Sequence, residues 1–118
     1  MSEPLQLLMV EDETDLGDLI KDALQDHASI AVRIASDPQQ ALSMLQTNPR
    51  CDVVFSDIGM PGPMSGIDFA QHVQQQYPEI RIILASGYSR SQLPPLPGHV
   101  QFLAKPYRLG QLLAMLER

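Results

Sequence analysis

The sequence predicts an α/β fold of the (βα)5 type, in which five parallel strands form one sheet with helices on both faces. Segments with strand-like and helix-like patterns of apolar residues alternate along the chain of 118 residues. The strand-like runs contain little polar alternation, as expected when helices cover both faces of a parallel sheet. They are residues 5–10, 30–35, 53–56, 80–85 and 100–104. Right-handed crossovers would bring the carboxyl ends of all these strands to one edge.

Helical periodicity is clear in residues 14–27, which follow the first strand. The apolar residues of this segment recur on one face, and we expect that face to lie on the sheet. They are Leu16, Leu19, Ile20, Ala23 and Leu24. After the second strand, Asp37 and Pro38 provide a helix N-cap and a proline at the first helical position. The helix that they begin should end near Asn48.

The second half of the chain repeats this pattern with one exception. A turn rich in glycine and proline, residues 59–66, precedes a third helix that should end before Pro78. A last helix has its apolar side inward, namely Leu109, Leu112, Leu113 and Leu116. Between the fourth and fifth strands, residues 87–98 contain three prolines, which lack an N–H and force extended geometry on preceding residues. The fourth helix should therefore be short or missing.

Composition and charge restrict the possible classes of function. The length and the 44% hydrophobic content suit one globular domain over residues 1–118. The formal charge of −6 argues against direct binding of nucleic acid or of an anionic membrane surface. No apolar stretch approaches the roughly 20 residues of a spanning helix, and the first residues do not resemble a signal peptide. We therefore expect a cytoplasmic protein.

Charged side chains follow three of the predicted strands. Glu11 and Asp12 follow the first, Asp57 the third and Lys105 the fifth. Clustered carboxylates resist ionisation unless a cation neutralises them, and Mg²⁺ typically takes one or two carboxylates and completes its shell with water and phosphate oxygens. A carboxylate can also attack a phosphoryl group, while a metal ion and a lysine neutralise its oxygens. This edge therefore suits a magnesium ion and a phosphoryl group.

Two further residues fit the same chemistry. Ser86 ends the fourth strand and could donate its hydroxyl to a phosphoryl oxygen. Gly59 lies in the turn after Asp57, where the absence of a side chain would let its carbonyl approach a metal.

Taken in order, these motifs resemble the response-regulator receiver domain, the CheY-like family of two-component signalling. The resemblance covers nearly the whole chain and depends on the order and spacing of its parts. These are Glu11-Asp12, Asp57-Ile58-Gly59-Met60-Pro61, Ser86 and Lys105-Pro106. The resemblance implies a flavodoxin-like, doubly wound sheet with strand order 2-1-3-4-5, and commonly a cis peptide between Lys105 and Pro106.

The resemblance also implies a role for each residue of the metal and phosphoryl site. Asp57 would accept a phosphoryl group from a phosphohistidine of a sensor histidine kinase or a histidine phosphotransfer protein. Glu11 and Asp12 would hold Mg²⁺ together with Asp57, with Asp12 the more direct ligand. The carbonyl of Gly59 would be a further ligand. Beyond self-phosphorylation and autodephosphorylation at Asp57, no enzymatic activity is implied.

The remaining roles concern signal output. By resemblance, Ser86 would be the switch hydroxyl, Lys105 would pair with the phosphate, and Phe102 would occupy the position of a switching aromatic residue. The turn between Pro61 and Gly66 is one residue longer than the common family pattern, and we expect this difference to have only a local effect. Ser86-Gly87-Tyr88 is similar to receivers attached to hybrid sensor kinases. The output partner is not apparent from the sequence.

Three other classes of function compete with this interpretation. A phosphatase with an aspartate nucleophile would need an Asp-x-Asp-x-Thr pattern after the first strand, and residues 12–14 do not supply one. A flavin carrier of the same sheet plan would need a turn there that binds the flavin phosphate. The acidic residues of this turn would repel that anion. A receiver-like interaction module that works without phosphorylation remains an alternative, although the complete residue set counts against it.

Overall fold

The computed structural model describes residues 3–27, 29–59, 62–96 and 98–117, with a five-stranded parallel sheet. Its strands are β1 (Leu5–Val10), β2 (Ile30–Ala35), β3 (Val53–Asp57), β4 (Arg81–Ser86) and β5 (Val100–Ala104). The α-helices in these ranges are α1 (Thr14–His27), α2 (Pro38–Thr47), α3 (Gly66–Gln76) and α4 (Leu109–Leu116). The strand order β2-β1-β3-β4-β5 confirms the predicted flavodoxin-like sheet. Met60, Pro61 and Pro97, which the sequence analysis names, lie outside the described residues.

Buried side chains cover both faces of the sheet. Leu7 and Val53 point to one face and Leu8 and Val54 to the other, and none of the four is more than 1% exposed. We call the buried residues on the two faces the α2–α3 cluster and the α1–α4 cluster, after the helices that cover them. Cys51 packs against the margin of the α2–α3 cluster, as expected of a small core residue. Burial on both faces explains why the strands lack polar alternation.

Capping side chains determine where two of the helices begin. Asp37 precedes α2 and accepts a hydrogen bond from the main-chain N–H of Gln40 at 2.8 Å, and Pro38 is the first helical residue, as predicted. Ser65 precedes α3 and accepts from the N–H of Asp68, whose carboxylate accepts from the N–H of Ser65 in return. This reciprocal cap fixes the start of α3 at Gly66, which lies against the end of β3.

The predicted inner face of α1 is partly wrong. Leu24 is fully buried, but Leu19 is 67% exposed and Leu16 is 38% exposed. Gly17 is buried instead, and a Cβ atom there would lie 3.5 Å from the Cδ1 atom of Ile34. The helix therefore places its glycine against the sheet and turns away Leu16 and Leu19, an orientation that hydrophobic periodicity misses because glycine carries no apolar side chain.

The proline-rich segment between β4 and β5 replaces most of a helix, as predicted. Its helical part among the described residues is one short 3₁₀ turn at Arg90–Gln92. Leu93 and Leu96 follow and pack against the α2–α3 cluster, while Pro94 and Pro95 are exposed. In an extended, polyproline-like chain, side chains three residues apart lie on the same side, as Leu93 and Leu96 do here. We call Leu93–Leu96 the leucine strap, since it covers this part of the core without a helix.

No helix within the described ranges is long and apolar enough to cross a membrane.

We predict that the leucine strap contributes to stability through its two leucines. Leu93→Ala and Leu96→Ala should each lower the free energy of unfolding by about 1–2 kcal/mol, less than the roughly 2–5 kcal/mol of fully buried leucines, because both are half-buried. Leu19→Ala is the matched control at an exposed position and should change stability by less than about 0.5 kcal/mol. Urea unfolding measures all three, and equal effects at strap and control positions would contradict the assignment.

Candidate functional site

Main-chain hydrogen bonds continue past the ends of the strands and hold the site residues in register. The amide of the residue that follows each of β1, β3 and β5 donates to a carbonyl on the neighbouring strand. These bonds join Glu11 N to Ala35 O at 2.9 Å, Ile58 N to Ala85 O at 2.9 Å and Lys105 N to Ser86 O at 2.8 Å. The predicted site residues therefore extend from a rigid sheet edge rather than from free loops.

Asp57 and Lys105 form an ion pair at the centre of this edge. The Nζ atom of Lys105 lies 2.5 Å from Oδ2 of Asp57, and their side chains are 37% and 24% exposed. The main-chain N–H of Gly59 donates to the other carboxylate oxygen, Oδ1, at 3.3 Å. Both oxygens of Asp57 are therefore engaged, and a charge-assisted hydrogen bond holds the carboxylate in place. The structure brings these two predicted residues together.

Glu11 and Asp12 add further negative charge at the same edge. Partial burial raises the pKa of Glu11, and both a hydrogen bond with Asp12 and the charge of Asp12 raise it further. The N–H of Glu13 donates to Glu11 at 3.1 Å, and this bond and the charge of Lys105 act in the opposite direction. Asp12 itself is exposed. Glu11 and Asp12 therefore interact at the end of β1, and we call this pair the acidic cluster.

The donors at this edge fit magnesium better than a metal that needs several protein side chains. Among the described residues, no three His, Cys, Asp or Glu side chains are placed to hold one metal ion. Mg²⁺ usually binds through one or two carboxylates and keeps several waters. Asp12, Asp57 and the carbonyl of Gly59 would suffice, with Glu11 beside them. Gly59 is exposed, and a Cβ atom there would have no neighbour within 4 Å, so the space beside its Cα atom is open.

Ser86 ends β4 next to Ala85, the residue that pairs with Asp57. Its side chain is buried, and Oγ accepts a hydrogen bond from the N–H of Tyr88 at 3.0 Å. An oxygen that accepts in this way keeps its own proton available for donation. The loop after β4 is thereby attached to the hydroxyl that the resemblance predicts to be the switch.

Phe102 lies on β5, opposite Leu84 of β4. It is half-buried and packs against the α2–α3 cluster, as do Leu93 and Leu96 of the leucine strap. Its position on the strand that ends near Lys105 agrees with the predicted one, and its role as a switch stays a prediction.

Tyr107 is a site residue that the sequence analysis missed. Burial raises the pKa of its hydroxyl, and the negative charges of Glu11 and Asp57 raise it further. Its ring packs edge to face on Phe55 with 5.7 Å between ring centroids. The peptide bond between Lys105 and Pro106 is cis, as predicted, and Tyr107 follows it directly. Proximity in sequence to Lys105 was the signal that could have found it.

We predict that Glu11 destabilises the metal-free protein. Because its pKa is raised above the ordinary 4.5, its contribution to stability is present below that pH and is lost as the pH rises through the folded-state pKa. In the presence of a chelator at neutral pH, Glu11→Gln should raise the thermal unfolding midpoint by a few degrees, and this gain should shrink toward acidic pH.

Glu79→Gln, at an exposed position remote from this edge, controls for the loss of one negative charge. Addition of Mg²⁺ should stabilise wild type more than Glu11→Gln. A variant no more stable than the Glu79→Gln control in chelator would contradict the electrostatic account.

Comparison with known proteins shows what this arrangement is similar to. A family model described as the response regulator receiver domain matches residues 7–117. The uncharacterized transcriptional regulatory protein YrkP of Bacillus subtilis is 32% identical over 111 residues, which cover 92% of this chain and 46% of that protein. The sensor kinase CckA of Brucella abortus is 30% identical over 115 residues, covering 95% of this chain and 12% of that protein. The chain thus spans less than half the length of either relative.

A solved structure extends the likeness to three dimensions. The chemotaxis protein CheY4 of Vibrio cholerae superimposes with a TM-score of 0.84 at 29% sequence identity, covering 98% of both chains.

Proposed function

We propose, from the premise that this chain belongs to the response regulator receiver domain family, that it is a phosphoacceptor switch in which Asp57 carries the phosphoryl group. Receiver domains of two-component signalling are switches rather than enzymes with a separate substrate. The donor would be a phosphohistidine of a sensor histidine kinase or a histidine phosphotransfer protein. The observation that carries the proposal is the ion pair of Asp57 and Lys105 beside an acidic cluster at the ends of parallel strands.

The geometry supports an in-line displacement at Asp57. A carboxylate oxygen of Asp57 attacks phosphorus, the bond from phosphorus to the histidine nitrogen breaks, and the imidazole leaves. Main-chain bonds at the strand ends hold Asp57 in place, so little reorganisation is needed. A bound Mg²⁺ would supply positive charge to the phosphoryl oxygens, and Asp12, Asp57 and the carbonyl of Gly59 are the groups that would hold it, with Glu11 adjacent.

Lys105 would stabilise the product. Phosphorylation adds negative charge at an edge that already carries Glu11 and Asp12, and Lys105 lies 2.5 Å from the accepting residue before any transfer. Its ammonium group can move with the new phosphoryl oxygens and neutralise part of their charge.

Ser86 would transmit the change. Its free proton can be donated to a phosphoryl oxygen, which would draw the hydroxyl toward Asp57. Because the N–H of Tyr88 is bonded to the same oxygen, the loop after β4 would move with it. Phe102 would then repack beside the leucine strap. This repacking would change the surface near β5 that a partner could bind.

We predict that acetyl phosphate adds one phosphoryl group to the protein in the presence of Mg²⁺. Intact mass should increase by one phosphoryl unit in wild type and in Asp22→Asn, an exposed aspartate of α1 changed as a control. Asp57→Asn should gain nothing, because an amide cannot act as the nucleophile. An adduct that forms equally on Asp57→Asn, or in chelator, would contradict the proposed role.

We also predict a long-lived aspartyl-phosphate. Gly59 provides no side chain to orient an attacking water, and Tyr88, at 67% exposure, is free to fold over the phosphoryl group. Gly59→Gln should shorten the lifetime several-fold, since an amide can position water as in other phosphoryl-transfer sites. Gly98→Gln is the matched control, because a side chain there also meets no atom within 4 Å. A wild-type half-life of seconds at neutral pH would rule out the long lifetime.

The second candidate function is a receiver-like interaction module that works without phosphorylation. It predicts a folded protein that forms no adduct with acetyl phosphate under any condition. The similarity to the sensor kinase CckA supports a histidine kinase as a partner under both candidate functions.

A further inference from the structure

We propose that Gly66, the first residue of α3, positions Asp57 for phosphoryl transfer through direct main-chain contact, an inference that rests on the function proposed above. Gly66 is buried against the peptide that joins Asp57 to Ile58. A Cβ atom on Gly66 would lie 2.4 Å from the carbonyl oxygen of Asp57 and 2.7 Å from the Cα atom of Ile58. Real Cβ atoms essentially never come within 3.0 Å of a heavy atom outside their own and adjacent residues. The contact therefore requires glycine.

Close approach, and not backbone conformation, makes glycine necessary at this position. Gly62 is the described glycine with a positive φ, 95°, and Gly66 does not share that property. The atoms that a side chain would meet at Gly66 belong to the main chain, so no rotamer change can move them aside. A larger residue must separate the start of α3 from the end of β3.

Three hydrogen bonds fix the main chain at this point, and one of them joins α3 to the end of β3. The N–H of Gly66 donates to the carbonyl of Ile58 at 2.9 Å. The hydroxyl of Ser56, itself buried, donates at 2.9 Å to the carbonyl oxygen of Asp57, the atom that a Cβ on Gly66 would strike. On its other side, Ile58 donates to the carbonyl of Ala85 on β4. The main chain at the phosphoacceptor is thus enclosed between α3 and β4.

Both elements are anchored in the core, and the residues after Ser56 are the less buried side of the contact. Phe69, Ala70 and Val73 of α3 are all 0% exposed, whereas Asp57 and Gly59 lie at the open sheet edge. Relief of the clash needs a separation of at least 0.6 Å, the difference between 2.4 and 3.0 Å. We expect most of this movement at the strand end, and it would carry the Asp57 carboxylate and the Gly59 carbonyl with it.

Phosphoryl transfer is sensitive to such a movement because its catalysis depends mainly on positioning and charge. A displacement of about 1 Å can cost about 100-fold in rate. Gly66→Ala should therefore lower the rate of Asp57 phosphorylation at least about tenfold, and the loss should persist at saturating acetyl phosphate and Mg²⁺. Lower stability alone would reduce the folded fraction without changing the rate of folded molecules.

The test compares Gly66→Ala with Gly110→Ala, the same change in the first turn of α4, where a Cβ atom meets nothing within 4 Å. Rates are measured by intact mass against acetyl phosphate concentration, at a temperature where both variants are fully folded by circular dichroism. The expected result is a lower maximal rate and shifted NMR amide signals of Gly59 and Lys105 in Gly66→Ala only. A folded Gly66→Ala variant with a maximal rate within about twofold of Gly110→Ala would overturn the proposal.

A second variant covers the case in which Gly66→Ala does not fold. Ser56→Ala removes the hydroxyl bond to the Asp57 carbonyl without a clash, and it should lower the maximal rate several-fold. An unchanged rate would overturn the proposal. Wild type is phosphorylated in parallel, so an absent wild-type adduct refutes the phosphoacceptor function itself, whereas a normal adduct with unaffected variants refutes only the role of Gly66.

Discussion

Repulsion among carboxylates at one sheet edge is the constraint on which the rest of the site depends. Glu11 and Asp12 follow β1, Asp57 ends the adjacent strand β3, and Lys105 provides a positive charge 2.5 Å from Asp57. The charges of these residues do not balance, since the edge carries one ammonium group and three carboxyl groups. A site of this kind attracts a cation before it accepts another anionic group. Electrostatics therefore favours binding of the cation before the anionic phosphoryl group. The acidic residues at this edge lower the stability of the protein in exchange for this function.

Rigidity at this edge comes from the main chain more than from side chains. Hydrogen bonds from Glu11, Ile58 and Lys105 extend the sheet by one residue at the very positions where the chain leaves it. Below the edge, both faces of β1 and β3 are sealed by apolar side chains, so the strands cannot tilt without opening the core. The functional groups are consequently placed by the most stable part of the fold. Gly59 and Tyr88 lie in the loops that follow β3 and β4.

Much of this organisation was predictable because it depends on patterns that a sequence displays directly. Apolar runs located all five strands, although β3 extends one residue further, to Asp57, and β4 is shifted by one residue, to Arg81–Ser86. Charged residues at strand ends predicted the site. Leu19 was misplaced because Gly17, which has no side chain to contribute to periodicity, determines the orientation of α1. The contact at Gly66 could not be predicted either, since it depends on an interatomic distance between two elements and not on a residue pattern.

The leucine strap has a consequence for self-association. It leads into β5, which lies at one end of the sheet and so presents a row of unpaired main-chain groups. Exposed edges of this kind invite strand pairing between molecules. Pro94 and Pro95 are exposed and have no N–H to offer, so the strap itself cannot become a sixth strand or recruit one. Loss of a helix would ordinarily expose an extended segment to strand pairing, and the two prolines limit that risk in the segment that precedes β5.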